Sequence, residues 1–349
     1  MLLRLPRQAR TFVARNRGAE AANWVHYSRI DSPPHAKLRP TMNTPLVNRR
    51  TLLQASAVAA GCWSLPILLP AAEPPERPEN SRFKLSLAAY SFHKSLQRGW
   101  PTGSKNDAAT MTMEDFIDFC ATQPLDGAEL TGYYFPAEVT TDYLNAIKRR
   151  LFLKGLDVSG TAIGNDFCLP AGAARDAQIA MTRQWIRIAA ELGAPVIRIF
   201  AGQVPKGDTE QAARDRCIAG INAVLPDAAQ AGVFLALENH GGITATAEQM
   251  LAIVHGVDKS PWFGVNLDGG NFKTADPYYD LECIVPYAVN VQIKVTVFPN
   301  GQRQPADYAR ILNMLRKVHF RGYIVLEYEE PEDPRIAIPP LLKTLRDLF

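Results

Sequence analysis

The chain has 349 residues, of which 47% are hydrophobic and 21% charged, a balance typical of a soluble globular protein. Its net charge of +3 is unevenly distributed, because residues 1–50 contribute +8 and the rest of the chain contributes −5. A mildly acidic body without a basic stripe disfavours nucleic-acid binding. The five cysteines, Cys62, Cys120, Cys168, Cys217 and Cys283, show no CxxC spacing, which argues against both a zinc motif and a disulfide scaffold.

The N-terminal region predicts a targeting segment rather than part of the fold. Arg49 and Arg50 precede an uncharged, alanine-rich run, a pattern that resembles a twin-arginine export signal and predicts a periplasmic or cell-envelope protein. A transmembrane anchor is the alternative, although glycine and prolines interrupt the run. An Arg-rich transit peptide is the competing interpretation of the residues before Met42. The predicted segments are an extension over residues 1–41, a signal over 42–72, a linker over 73–82 and a folded domain over 83–349.

Strand-like and helix-like segments alternate through the predicted domain. The eight predicted strands end near Phe92, Thr131, Ile163, Phe200, Glu238, Asp268, Val297 and Glu327. Helices are predicted over residues 112–120, 141–154, 176–192, 209–231, 246–254, 279–287, 307–318 and 338–349. Eight such units favour a (β/α)₈ TIM barrel, which typically takes about 250 residues. The alternative, a doubly wound nucleotide-binding sheet, needs a glycine-rich turn after its first strand, and residues 91–96 do not provide one.

Polar side chains stand at the ends of the last four predicted strands. Glu238, Asp268 and Glu327 each end an apolar run, while Gln292 lies within a strand and Lys294 follows on the same face. Because barrel active sites lie at the carboxyl ends of the strands, we expect these side chains to converge. Carboxylates crowded into a partly dry site repel one another unless a cation neutralises them. The pattern therefore predicts one divalent metal ion, Mg²⁺ or Mn²⁺, with Co²⁺ also compatible.

Four short motifs resemble the sugar phosphate isomerase/epimerase family, also called the xylose-isomerase-like barrels. They are Leu237-Glu238-Asn239-His240, Leu267-Asp268-Gly269-Gly270-Asn271-Phe272, Val291-Gln292-Ile293-Lys294 and Leu326-Glu327-Tyr328. The resemblance covers essentially residues 83–349. It implies that four residues bind one divalent ion, namely Glu238, Asp268, Gln292 and Glu327. The two glutamates would also form an acid/base pair. Many members have histidine in place of Gln292, although members similar to hydroxypyruvate isomerases use glutamine there.

The resemblance implies a metal-dependent isomerase or epimerase that acts on a keto-sugar by removing a proton next to the carbonyl, through an enediolate. A lyase of the dehydroshikimate-dehydratase type and a non-catalytic carbohydrate-binding barrel are the alternatives. A three-metal endonuclease-type barrel needs more histidines at the strand ends than the four after residue 82. The expected partner is a small-molecule sugar, with neither nucleic acid nor stable membrane insertion, and the sequence leaves a homo-oligomer open.

Further polar residues near predicted strand ends are candidates for contact with the substrate. They are His240, Lys294, Tyr90, His93, Glu129 and Arg198. For each of them the alternative is a structural hydrogen bond at the barrel mouth. For Lys294 this alternative is a salt bridge to a carboxylate inside the barrel.

Overall fold

The computed structural model describes residues 72–103 and 108–349, and in them eight parallel strands close into a barrel. The strands are β1 (Arg82–Ala88), β2 (Gly127–Thr131), β3 (Asp157–Ala162), β4 (Val196–Ile199), β5 (Phe234–Glu238), β6 (Phe263–Asp268), β7 (Ala288–Ile293) and β8 (Arg321–Leu326). Neighbouring strands pair in chain order, and β8 pairs with β1. The predicted TIM barrel is therefore confirmed. The predicted extension and, apart from Ala72, the predicted export signal lie outside the described residues.

An α-helix follows each strand. The helices are α1 (Met113–Ala121), α2 (Thr141–Leu153), α3 (Ala173–Leu192), α4 (Glu210–Ala231), α5 (Ala247–Val254), α6 (Pro277–Ile284), α7 (Tyr308–Lys317) and α8 (Pro334–Asp347). Local chemistry sets their ends. Thr112 and Asp115 form a reciprocal capping box at the start of α1. Gly193 and Gly232 end α3 and α4 with φ of 82° and 69°, a left-handed conformation that costs glycine little.

The largest differences from the prediction are at three element ends. The first strand ends at Ala88, and residues 89–92 form a 3₁₀ turn. The seventh ends at Ile293, where its pairing with β8 stops, and Thr296–Val297 instead pairs with Gln304–Pro305 in a small antiparallel ribbon. The last helix begins at Pro334, earlier than predicted, because Asp333 caps it and proline suits the first turn. Residues just beyond β1 and β7 consequently lie on the barrel rim.

Side chains of β6 and β7 point alternately into the barrel interior and toward the surrounding helices. Asn290 on β7 donates a hydrogen bond to Glu129 on β2, a strand on the far side of the barrel, so these side chains cross the interior. Since side chains on a strand alternate, Asn266 and Asp268 also point inward, while Leu267 faces the helices. The barrel interior around these strands is therefore polar, and the apolar core lies between strands and helices.

The segment before β1, predicted to be a linker, has no helix or strand over residues 73–81. It lies against the barrel, because Glu73 forms a 2.7 Å ion pair with Lys259 and the Arg77 guanidinium lies 5.4 Å from the centre of the Phe320 ring. None of the helices in the described part of the chain is both long and apolar enough to cross a membrane.

Candidate active site

A cavity of about 560 Å³ opens at the carboxyl ends of the strands. The charged residues that line it are Arg98, Arg198, Glu238, Lys294, Glu327 and Glu329. The aromatic and imidazole rings that line it belong to Tyr90, Trp100, Tyr133, Phe200 and His240. A concave site that combines ring faces with a few fixed charges suits a small polar ligand.

The Lys294 ammonium lies among three carboxylates at the base of this cavity. Its Nζ is 2.8 Å from Glu327 Oε2 and 3.4 Å from Asp268 Oδ2, and it also donates a short hydrogen bond to Glu329. Only 11% of the lysine side chain is exposed. Burial by itself would lower the pKa of Lys294, but the three carboxylates outweigh it and raise that pKa well above its usual value. The lysine therefore carries a fixed positive charge.

Glu327 follows the last residue of β8, and its backbone N–H donates to Ile293 O at 3.0 Å, which fixes the residue beside the end of β7. The carboxylate is almost fully buried. Burial would raise its pKa, but the contact with Lys294 reverses the effect and holds the pKa of Glu327 below its usual value. Glu327 is thus kept as a carboxylate that faces the cavity.

Glu238, the last residue of β5, is held by a different set of partners. Its Oε2 lies 2.8 Å from Arg198 Nε and accepts from Asn266 Nδ2 at 3.3 Å, and its Oε1 accepts from Asn271 Nδ2 at 3.0 Å. Burial and the nearby carboxylates of Asp268 and Glu327 raise the pKa of Glu238 above its usual range, against the opposing effect of Arg198. The two cavity glutamates are therefore in unlike electrostatic environments.

Arg198, near the end of β4, is itself fixed from several sides. Its Nη1 donates to Ile163 O at 2.8 Å and to the Tyr133 hydroxyl at 3.3 Å, and its guanidinium lies 3.9 Å from the centre of the Phe200 ring. Stacking on an aromatic face and bonds to fixed acceptors hold the charge in place beside Glu238.

Below the rim, four buried residues form a hydrogen-bonded group that we call the amide layer: Glu129, Asn266, Asn290 and Gln292. Gln292 Oε1 accepts from Asn266 at 2.8 Å, and Gln292 Nε2 donates to Glu129 Oε1 at 2.8 Å. Asn290 donates to Glu129 Oε2 at 3.2 Å and to Asn266 Oδ1 at 2.8 Å. Burial raises the pKa of Glu129 to about 7. These hydrogen bonds give the buried polar groups the partners they require, and Asn266 also donates to Glu238 at the rim.

Asp268, at the end of β6, is completely buried and lies beside Lys294. Its backbone exchanges two hydrogen bonds with the Asn239 side chain, at 2.8 and 3.0 Å, and its Oδ1 accepts from Gly270 N at 2.8 Å. Its Oδ2 accepts no hydrogen bond from the described residues, and Lys294 is its ion-pair partner. The backbone contacts fix this carboxylate with one oxygen directed at the lysine.

The predicted metal ligands are held by contacts within the protein. The structure brings Glu238, Asp268 and Glu327 to one end of the barrel, but the Gln292 side chain belongs to the amide layer, where its oxygen already accepts a hydrogen bond. Lys294 stands between Asp268 and Glu327, where an added divalent ion would meet its positive charge. Among residues 72–103 and 108–349, no group of three or more histidine, cysteine, aspartate or glutamate side chains is arranged to hold a metal ion. The residues as arranged do not fit the predicted ion.

The other predicted substrate-contact residues divide into two groups. Tyr90, His240, Arg198 and Lys294 line the cavity. Glu129 does not, because its carboxyl group is enclosed in the amide layer. His93 lies outside the cavity lining as well, with its ring stacked 5.1 Å from that of Tyr90.

Sequence reasoning missed several residues of the site. Glu329 stands two positions beyond Glu327, and Asn266 two positions before Asp268, so the strand period of two could have indicated both. Tyr133 carries no such signal, because it lies in a short 3₁₀ turn after β2 and reaches Arg198 only through the tertiary structure.

The fold and the site together define a parallel-barrel protein with an acidic and basic cluster at the carboxyl ends of its strands. A sequence profile described as the xylose isomerase-like TIM barrel matches residues 116–348. The chain therefore belongs to the xylose isomerase-like TIM-barrel family. None of the curated proteins matches it by sequence.

Solved structures with the same fold include several carbohydrate-processing proteins. The 3-keto-D-glucoside 4-epimerase of E. coli is 16% identical with a TM-score of 0.59, and the match covers 76% of this chain and 100% of the other. D-Psicose 3-epimerase of Clostridium cellulolyticum is 15% identical (TM-score 0.57; 76% and 91% covered). The probable 3-DHS dehydratase of Bacillus anthracis is 19% identical (TM-score 0.54; 76% and 98% covered). At these identities the likeness concerns the fold.

Proposed function

We propose that this protein is a sugar epimerase or isomerase that moves a proton at a carbon next to a carbonyl group, with Glu238 and Glu327 as the acid/base pair. The observation that carries the proposal is that these two carboxyl groups, from β5 and β8, line one cavity in unlike environments. A two-base reaction needs one group that accepts a proton and another that donates one. The epimerases among the similar folds support the substrate class.

Glu327 is suited to remove the proton. Its contact with Lys294 favours the carboxylate form, which is the form a general base requires. Glu238 is suited to return a proton, since its burial and neighbouring carboxylates favour the protonated form. Arg198, fixed beside Glu238, places positive charge where the negative charge of an enediolate would develop.

The walls of the cavity suit a carbohydrate. Tyr90 and Tyr133 present rings that pack edge to face at 6.4 Å between centres, and Trp100 and Phe200 add further ring surface. Such rings contact the C–H faces of a sugar, while the fixed charges bind its hydroxyl groups.

A dehydratase on the same scaffold is the second candidate. It would use the same proton abstraction by Glu327, followed by loss of the hydroxyl group on the next carbon as water, with the added proton supplied by Glu238. The similarity in fold to the Bacillus anthracis protein is the observation that favours it.

Solvent deuterium exchange tests the proposal and separates the two candidates. The protein is incubated in D₂O with a panel of ketoses and 3-keto-glycosides, and products are followed by NMR and mass spectrometry. An epimerase or isomerase incorporates deuterium next to the carbonyl and yields a product of unchanged composition. A dehydratase yields a product lighter by one water. No exchange and no product from any member of the panel would contradict the proposal.

A further inference from the structure

We propose that the Lys294 ammonium takes the place of the divalent cation at the end of this barrel, so that the reaction proceeds without a bound metal ion. The inference rests on the proposed function for its chemistry, but the site geometry supports it independently. It departs from the metal site that the sequence predicts over Glu238, Asp268, Gln292 and Glu327.

The Lys294 ammonium lies close to two buried carboxylates. Its nitrogen lies 2.8 Å from Glu327 and 3.4 Å from Asp268, the two carboxylates that would otherwise repel each other. Asp268 is completely buried, and Lys294 is the ion-pair partner that the described residues give it. A cation is needed here because uncompensated carboxylates at this depth are costly. The lysine supplies one from the protein chain itself.

The other predicted metal ligands already have partners within the protein. The Gln292 amide oxygen accepts from Asn266, and its nitrogen donates to Glu129, so its side chain is held below the rim. Glu238 is engaged by Arg198 and two asparagines. A divalent ion would have to displace the ammonium and break these contacts to collect enough oxygen ligands.

The spacing along β7 explains how one strand supplies both residues. Gln292 and Lys294 are two positions apart and point to the same side, but the lysine is the later residue and lies past the strand end at Ile293. Its longer side chain therefore reaches the rim, whereas the glutamine ends in the layer beneath.

The ammonium can take over two tasks of a cation. Its positive charge lies 2.8 Å from the Glu327 carboxylate, and it lines the cavity, where it can donate a hydrogen bond to a substrate oxygen that gains negative charge. Glu327 and Glu329 engage two of its three N–H groups, and Asp268 Oδ2 accepts no hydrogen bond from the described chain. One N–H is thus left for the substrate.

The test measures Mn²⁺ binding to the full chain by calorimetry and by electron paramagnetic resonance, after dialysis against a chelator. The wild-type protein should bind Mn²⁺ no more tightly than about 1 mM, whereas Lys294→His, which replaces the charge with a neutral ligand, should bind at least about a hundredfold more tightly. The gain should disappear in the double variant Lys294→His, Asp268→Asn. Lys317→His, on the exposed surface of α7, is the matched control and should behave as wild type.

Either of two results would overturn the proposal: one equivalent of Mn²⁺ bound by the wild-type protein and lost in Asp268→Asn, or a folded Lys294→His variant that gains no binding. Lys294→Gln is judged by the same criteria if the histidine variant does not fold, and the wild-type titration needs no variant. No sugar is present in these titrations, so their outcome does not depend on the proposed function. If no sugar showed deuterium exchange, the proposed function would be refuted, but the measured Mn²⁺ affinities would still decide whether Lys294 replaces the metal ion.

Discussion

Two polar regions lie one above the other in this barrel, and they differ in what their polar atoms face. The rim, formed by Arg198, Glu238, Asp268, Lys294 and Glu327, consists of ion pairs at the edge of an open cavity. The amide layer beneath it pairs one carboxyl group with three neutral side chains that bond to one another, and Asn266 connects it to Glu238 at the rim. Residue type alone therefore does not mark a site, since both regions contain glutamate and nitrogen donors.

This difference shows that the depth of a residue in the barrel determines its role, even along a single strand. Asn290 and Gln292 share one face of β7, and Lys294, just past the end of the strand, lies on the same side and nearest to the cavity. The first two satisfy the interior, and only the third meets the cavity. We expect substitutions in the rim to change the chemistry, and those in the amide layer to change stability while leaving the chemistry in place.

The largest effect is expected at Glu327. Replacing it with glutamine removes the proposed base, and deuterium exchange at the carbon next to the carbonyl should fall by about 10³-fold. Glu238→Gln should keep measurable exchange but lose inversion, because the base remains and the proton donor is gone. NMR of the exchanged and inverted sugar measures both quantities. Glu248→Gln, on the exposed surface of α5, is the control. Full exchange and inversion in both cavity variants would show that the acid/base assignment is wrong.

Lys294→Met should have the largest effect on stability. It leaves Glu327 and Asp268 buried without their cation, and removal of one partner from such a group costs about 3–5 kcal/mol. Denaturant unfolding followed by circular dichroism gives the change in the free energy of unfolding. A loss of less than about 1 kcal/mol, the value of an exposed ion pair, would mean that solvent screens the cluster and that the rim is not a desolvated site.

Gln292→Met is expected to affect the fold rather than the chemistry. It removes the hydrogen bond that Glu129 Oε1 accepts and the one that Asn266 donates to Gln292, and it should cost about 2 kcal/mol of unfolding free energy. The exchange rate of the folded variant should stay within about threefold of wild type, since the side chain does not line the cavity. A folded variant that lost exchange altogether would assign the amide layer to the active site.

The smallest effect is expected outside both regions, at Asp118 on α1. Hydrogen bonds from Arg150, with a further contribution from Lys154, lower the pKa of Asp118 from 3.8 to about 2. The group is more stably ionised in the folded chain, so its contribution is present above about pH 4 and is lost as the pH falls toward 2. Because the side chain is 42% exposed, solvent screening should limit the cost of Asp118→Asn to less than about 1 kcal/mol at pH 7. Unfolding at pH 7 and pH 2 should show the difference only at the higher pH.

Much of the fold could be predicted from local chemistry. Alternation of apolar strands with capped helices specified eight units, and Thr112, Gly193 and Gly232 marked helix ends because caps act within a few residues. Less local features were missed, such as the early end of β1 at Ala88, because an apolar run does not show where pairing with a distant strand stops.

The sequence by itself determined that Glu238, Asp268 and Glu327 stand at strand ends, and that Gln292 and Lys294 share a face, because both follow from the period of a strand. Only the tertiary structure decided which of the latter two reaches the rim. Which side chain reaches the rim depends on its depth in the barrel. That depth is set by the register of the neighbouring strands and by partners such as Glu129 on the far side. The glutamine that the sequence assigned to a metal supports the barrel interior, and the lysine beside it holds the carboxylates at the cavity.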